Sequence, residues 1–336
     1  MLSMLRKLLS LPAVSGTESD AYGPLRDFLC PLGKVSITPL GSILCTLKND
    51  NDENLPHIML EAHLDKIGML VSKIDDNGFL KISPCGGVDI RATAGNRVMV
   101  HTESCDILGI ICSVPPMCDG KKSPLKVNEL AVDVGLTKAE AAKRISLGDR
   151  IFMYGEPLML QNDNICSPAL DNRAGCAAVI SAGKLLKGFK DAKITLALCS
   201  QEEVGGNGAK TATNILNPDY AIAVDVSFAS TPAESKNDCG SLNGGTMIGF
   251  APTLSKDFSN KLVYTAKIEK IPYQKEIMSG RTGTDADSIV SSGKGVKTAL
   301  LSIPLRCMHT PNKIVNLTDI ESTAKLMAAV VRGGLC

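Results

Sequence analysis

The chain has 336 residues, with 36 Lys and Arg against 35 Asp and Glu, a formal net charge of +1. That balance excludes binding to nucleic acid or an anionic membrane through bulk charge. With 44% hydrophobic and 21% charged residues it excludes disorder as the main state, and at roughly 100–200 residues per domain it points to two domains.

Of the 12 cysteines none forms a Cys-x-x-Cys pair, and Cys45, Cys176, Cys199 and Cys307 lie in apolar segments. They read as reduced core residues of a cytoplasmic protein. The segment Met1–Ser15 carries Arg6 and Lys7 before several leucines, but Leu2, Leu5 and Leu9 recur at helical spacing and no Ala-x-Ala site follows, so a helix is expected rather than a signal peptide. No run approaches the ~18 apolar residues of a membrane span.

In chain order, residues 2–31 predict two amphipathic helices separated at Pro12–Gly16, the second opening at Thr17–Asp20. Strands are expected over 42–47 and 57–62. From 69 to 163 the chain changes to short β-type runs at 69–74, 79–82, 97–100, 107–113 and 150–154, with one helix near 137–145. Beyond 169, apolar strands at 193–199, 220–226 and 298–303 alternate with helices at 170–187, 207–216, 254–268, 285–292 and 318–332. The expectation is an α/β fold, a mostly parallel sheet flanked by helices. Residues 1–68 plus 164–336 would form one discontinuous catalytic domain, and 69–163 an inserted small β-rich domain.

Four histidines occur: His57, His63, His101 and His309. His57 and His101 read as structural or surface residues. His63 ends an apolar strand and begins His-x-Asp, so Asp65 is placed to accept the other ring N–H of His63 and fix its tautomer. Asp171 opens a helix, Glu202 and Glu203 follow strand 193–199, Asp225 ends strand 220–226, and His309 follows strand 298–303. In α/β sheets the carboxyl ends of strands carry the site, so one shared centre accounts for all of them.

Taken singly, Asp171 could cap its helix, Glu202 and Glu203 could be a solvated pair, and Asp225 or His309 a turn residue. Together, His63, Asp171, Glu203, Asp225 and His309 form a two-His, three-carboxylate set suited to zinc, cobalt or manganese. Two divalent ions, three carboxylates and one hydroxide balance to neutrality. With Asp171 bridging, His63 and Asp225 complete one ion's set, and Glu203 and His309 the other's. Glu202 is left unligated as a candidate general base.

At these positions the sequence resembles the tetrahedral (TET) aminopeptidase family of dinuclear metallopeptidases, which includes glutamyl aminopeptidases. The matching segments are Ala62-His63-Leu64-Asp65, Leu170-Asp171-Asn172-Arg173-Ala174-Gly175, Gln201-Glu202-Glu203-Val204-Gly205, Val224-Asp225-Val226, Pro272-Tyr273-Gln274, Gly283-Thr284-Asp285-Ala286 and Met308-His309-Thr310-Pro311. The resemblance implies a zinc-peptidase-type fold and two divalent metal ions per subunit on the five ligands named. It also implies Glu202 as base, Asp65 as the partner of His63, peptide substrates, and an insertion that dimerises, with dimers assembling into a homododecamer. Lys66, Gly206-Asn207 and Arg281-Thr282-Gly283 depart from the family pattern. Lys66, Arg173, Arg281 and Arg306 either favour an acidic residue in the substrate or serve as structural ion-pair partners. The competing readings are a zinc amidohydrolase acting on N-acyl or dipeptide substrates, and a non-catalytic assembly protein of the same fold.

Overall fold

A computed structural model of the chain describes residues 1–48, 55–114, 125–231 and 239–334. Its largest feature is an 11-stranded sheet. At its centre the strands Lys193–Cys199, His57–His63, Tyr220–Phe228 and Lys297–Arg306 run parallel, in that order. Their side chains alternate, as period-2 strands require. Ile58, Leu60, Ala62, Ile222, Val224 and Val226 face one core, which is covered by helices Leu2–Leu9, Leu170–Leu185, Lys256–Ile268 and Leu317–Arg332. Met59, Ala197, Cys199, Ala221 and Ala223 face the other, covered by Asn207–Leu216 and Asp285–Val290.

The flanks correct the expectation of a mostly parallel sheet. Ile43–Leu47 joins Lys193–Cys199 antiparallel, with Gly33–Ile37 antiparallel beyond it. On the other side Lys313–Asn316 pairs antiparallel with Lys297–Arg306, then Asn164–Ser167 and Leu158–Met159 continue antiparallel. Thr246–Phe250 also pairs antiparallel with Lys297–Arg306. The sheet is therefore mixed, a parallel centre with antiparallel margins; Gly33–Ile37 with Ile43–Leu47, Leu158–Met159 with Asn164–Ser167, and Lys297–Arg306 with Lys313–Asn316 are joined by short loops and need no helical crossover.

Between the His63 strand and Asn164–Ser167 the chain closes a six-stranded barrel of Gly68–Ile74, Leu80–Cys85, Ala131–Asp133, Asp106–Cys112, Arg97–His101 and Arg150–Met153. Met69, Val71, Val98, Val100, Ile111, Val132 and Ile151 fill it. The helix read near 137–145 spans Lys138–Arg144, with Thr137 and Glu140 forming its capping box. Cys45, Cys176 and Cys199 are free and buried, whereas Cys307 is exposed in the turn after Lys297–Arg306. No helix among the described residues is long and apolar enough to cross a membrane.

Candidate metal centre

All six predicted ligand and base positions converge on one cleft of about 370 Å³, lined by His63, Asp171, Glu202, Glu203, Asp225 and His309. The parallel strands deliver four of them at or just beyond their carboxyl ends. His63 is the last residue of its strand, Asp225 lies near the end of Tyr220–Phe228, and Glu202 and Glu203 occupy the turn after Cys199. Asp171 does not cap the helix it opens. It and Asn172 have non-helical backbone angles, and the Asn172 side chain takes the capping role by accepting the Gly175 N–H at 3.0 Å. Asn172 also donates to the Val224 carbonyl at 2.8 Å, which fixes Asp171 against the Asp225 strand.

Asp171 divides its carboxylate between the two imidazoles. Its Oδ1 lies 3.3 Å from His63 Nε2, and its Oδ2 lies 3.6 Å from His309 Nε2. Asp225 Oδ1 is 3.5 Å from His63 Nε2, and Glu203 Oε2 is 3.8 Å from His309 Nε2. The cleft thus has two halves sharing one carboxylate. His63 Nδ1 lies 3.1 Å from the backbone carbonyl of Asp65. A carbonyl only accepts, so Nδ1 carries a proton, and in the neutral ring Nε2 would turn a lone pair into the cleft.

The structure refines the role of Asp65. It lies beyond the end of the strand, and its carbonyl, rather than its carboxylate at 3.5 Å, is the nearer acceptor for His63. The carboxylate instead accepts from Ser15 Oγ at 2.6 Å and from the backbone N–H groups of Glu202 and Glu203 at 3.1 and 3.3 Å.

The electrostatics are those of a site organised around cations. Burial, with the Asp171 charge, raises the Glu203 carboxyl well above its ordinary value; burial also raises Asp225 and pushes Glu202 up to about 8. Burial would lower His63, but Asp225, Asp171 and Asp65 outweigh it and hold the imidazole well above its ordinary value. Burial would raise Asp171, but Lys313, His63 and His309 hold it below the carboxylate range. Glu203 Oε1 is buried with no hydrogen-bond partner among the described residues. Crowded carboxylates, two imidazoles and an unsatisfied oxygen suit divalent cation binding through nitrogen and oxygen ligands. The ligand atoms of His63, Asp171 and Glu203 already lie within 4.8 Å of one another.

Several contributors were not read from sequence. Lys313 is fully buried, 3.7 Å from Asp171 Oδ2 and donating to the Pro168 carbonyl at 3.2 Å. Glu276, held by Ser227 and by Ser302 at 2.6 Å, lines the cleft with Phe228 and Met278. Gly87, from the segment after the barrel strand Leu80–Cys85, packs so closely on His309 that a Cβ there would sit 2.9 Å from Nδ1. Lys313 and Gly87 lie outside the motifs, and Glu276 carries no spacing signal.

Of the four basic residues considered as selectors of an acidic substrate, none lines the cleft. Lys66 is buried, donating to the Leu11 carbonyl and lying 3.9 Å from the centre of the Phe152 ring. Arg173 is fully buried, Arg281 pairs with Asp287, and Arg306 donates to the Ser230 carbonyl. His57 and His101 stand outside the cleft as expected, His57 bonding Thr195 and His101 bonding Asp106 and Asp20.

Comparison with known proteins agrees with the fold. A putative aminopeptidase of Acetivibrio thermocellus is 33% identical over 337 residues, covering 98% of each chain. An aminopeptidase structure from Desulfurococcus kamchatkensis superposes with a TM-score of 0.92 at 32% identity, covering 99% of this chain and 94% of that one. The TET1 peptidase of Pyrococcus horikoshii, which assembles into a tetrahedron or a large octahedral shell, gives a TM-score of 0.87 at 28% identity over 98% of each chain. Residues 41–326 match the M42 glutamyl aminopeptidase family, and the chain belongs to that family.

Proposed function

We propose that the chain is a metal-dependent aminopeptidase that removes the N-terminal residue of short peptides at a dinuclear centre. The observation that carries this reading is the divided carboxylate of Asp171, with one oxygen toward each imidazole. His63, Asp225 and Asp171 Oδ1 would hold one divalent cation; Asp171 Oδ2, Glu203 and His309 would hold the other. Zinc, cobalt and manganese all suit such donors. Bound there, the cations supply Lewis acidity toward the scissile carbonyl and make water acidic enough to attack near neutral pH.

The protein's own residues do the rest. Glu202 lines the cleft beside both half-sites without belonging to either, so its carboxylate is placed to take the proton of the attacking water and pass it to the leaving amine. With divalent charge held by its neighbours, Glu202 would fall from its raised value and stay ionised to act as a base. Asp65 fixes the turn that carries Glu202 and Glu203. Phe228, Met278, Leu300 and Met308 supply apolar walls for the first side chain. No Lys or Arg among the described residues lines the cleft, while Glu276 does, so its charge disfavours an acidic first residue.

We infer further that residues 69–163 form the self-association domain, through which subunits dimerise and then assemble into a closed homododecamer. The strand Asp106–Cys112 supports this: Ile107 and Ile111 fill the barrel while Leu108 and Ile110 point outward, 51% and 40% exposed.

The test is a panel of leucyl, lysyl and glutamyl amides, assayed before and after chelation and after return of zinc, cobalt or manganese. The expected result is hydrolysis that chelation abolishes and cation restores, with leucyl and lysyl amides favoured over glutamyl by about tenfold or more, a difference of about 1.4 kcal/mol. Full activity after exhaustive chelation overturns the metal centre. Cleavage of N-acyl substrates with none of free-amine substrates overturns the aminopeptidase reading in favour of an amidohydrolase.

A further inference from the structure

Behind the cleft lies a second group of ligating side chains that the proposed reaction does not use. Glu61, Cys199 and Asp285 each offer one ligand atom, and the three atoms lie within 4.8 Å of one another. None of the three residues lines the cleft. Strand pairing brings the first two together: Cys199 stands opposite His63, so Glu61, two residues earlier, shares its face of the sheet. Asp285 comes from the start of helix Asp285–Val290, which packs on that face.

The burial is nearly complete, at 1% for Glu61, 0% for Cys199 and 3% for Asp285. Yet both carboxylate oxygens of Asp285 and Oε1 of Glu61 lack any N–H or O–H donor among the described residues, the two carboxyl groups facing only each other and the Cys199 thiol. Removing such oxygens from water without a partner is strongly unfavourable, and buried acids persist where they are paired or coordinate a metal. Met59, Ala197, Ala209, Ala286 and Ile289, packed on the same face, are apolar, and the Ser42 hydroxyl bonds the Cys199 sulfur rather than either carboxylate.

We propose that Glu61, Cys199 and Asp285 bind a third divalent cation, of the zinc or cobalt class, that braces the floor of the cleft without touching substrate. Zn–S bonds of about 2.3 Å and Zn–O bonds of about 2.0 Å put tetrahedral ligand atoms roughly 3.5 Å apart, so closing on an ion needs a contraction of at most about 1.3 Å. The second oxygen of a carboxylate can complete the coordination. A thiolate in the set disfavours magnesium and calcium, which prefer oxygen alone. Two carboxylates and a thiolate exceed the charge of one divalent ion by one, so one of the two carboxyl groups keeps its proton and the occupied site is neutral. Bound there, the ion ties the His63 strand, the strand leading into Gln201–Glu203, and the helix that follows Gly283 and Thr284 of the cleft wall.

The test uses the intact protein produced in cobalt-supplemented medium and reads metal content and absorption spectrum, not activity. The expected result is three cobalt ions per subunit and a thiolate-to-cobalt charge-transfer band in the near ultraviolet. Cys199→Ser should lose the band and one ion. Asp285→Asn, which approaches the cluster from the helix, should weaken both. Glu203→Gln, altered only in the cleft, should lose cleft metal and keep the band, which separates this site from the dinuclear centre. Two ions per subunit without the band in the parent protein overturns the proposal even if neither cluster variant folds, and leaves a proton shared by Glu61 and Asp285 as the occupant. A band that survives Cys199→Ser overturns it as well.

Discussion

Asp65 and Glu202 are joined across 137 positions of sequence, the Glu202 backbone N–H donating to Asp65 Oδ1 at 3.1 Å while Glu203 donates to Oδ2 at 3.3 Å. One carboxylate therefore holds two consecutive amides, and adjacent residues of an extended turn send their side chains in different directions. That splay is what allows Glu203 to approach His309 while Glu202 stays apart. The charge of Asp65 is sustained by the same contacts. Burial would raise its carboxyl, but His63, Ser15 and the Glu202 N–H hold it below its ordinary value.

Asp65→Asn keeps the size of the side chain but replaces one acceptor by an amide that faces an N–H. The turn should loosen, with kcat or cation affinity falling about 10–100-fold, the usual cost of disturbing groups that orient metal ligands. Steady-state kinetics at saturating metal, together with competition against a chelator, would check this. Unchanged values in both measurements would remove Asp65 from the positioning role.

His57 gives a pH dependence that can be separated from the metal centre. Its ring lies against Thr195 Oγ1 at 2.9 Å and the Leu216 carbonyl at 3.2 Å, and burial pushes its pKa down from 6.5 to about 4. The folded state therefore favours the neutral ring. Above pH 6.5 neither state is protonated; as pH falls from 6.5 toward 4 the unfolded chain binds a proton that the folded chain refuses. Stability is lost across that window, by up to about 3 kcal/mol. His57→Gln has no titrating group, so its stability deficit relative to the parent should shrink between pH 7 and pH 4.5. Denaturant melts of both cation-free proteins at the two pH values measure it, and a constant gap would contradict the assignment.

How much could be read in advance follows from where each residue sits. His63, Asp225, Glu203 and His309 were legible because they lie near or just beyond the carboxyl ends of apolar strands, and a buried strand announces itself by composition. The sheet margins were not. Gly33–Ile37 and Lys313–Asn316 mix polar and apolar residues and stop after four or five positions, so no period emerges, and without them the sheet looks more parallel than it is. Asp171 was legible as an acid at a helix start, but its freedom to turn toward the cleft depends on Asn172 acting as the cap, which only the backbone reveals. Gly87 against His309 and Lys313 behind Asp171 are contacts between distant segments, for which a single sequence has no signal.

The outward pair Leu108 and Ile110 predicts how assembly should fail. Neither contributes to the barrel interior, so Leu108→Asp should leave the fold intact while placing a charge in any apolar contact made by that face. A charge buried without a partner costs several kcal/mol, enough to dissociate a contact between small patches. Light scattering should show the particle shifting toward smaller species, with circular dichroism unchanged. An unaltered particle size would place the contact elsewhere on the molecule.

The sharpest division of labour lies between neighbours. Glu203 Oε2 is 3.8 Å from His309 Nε2 and its other oxygen lacks a partner, the position of a ligand. Glu202 lines the same cleft with no ion pair to either imidazole among the described residues, the position of a base. Glu202→Gln preserves shape and hydrogen bonding but cannot accept a proton; kcat should fall by about 10²–10⁴, with the metal content of the parent retained. Some turnover should persist, because cation activation of water does not depend on this side chain. Glu203→Gln exchanges a charged ligand for a weak neutral one, and should lose cation together with activity. Metal analysis beside kinetics separates the two. If Glu202→Gln loses metal while Glu203→Gln keeps it, the roles are reversed; if Glu202→Gln retains the parental kcat, the proton passes through another group, and Glu276 across the cleft becomes the acid to test.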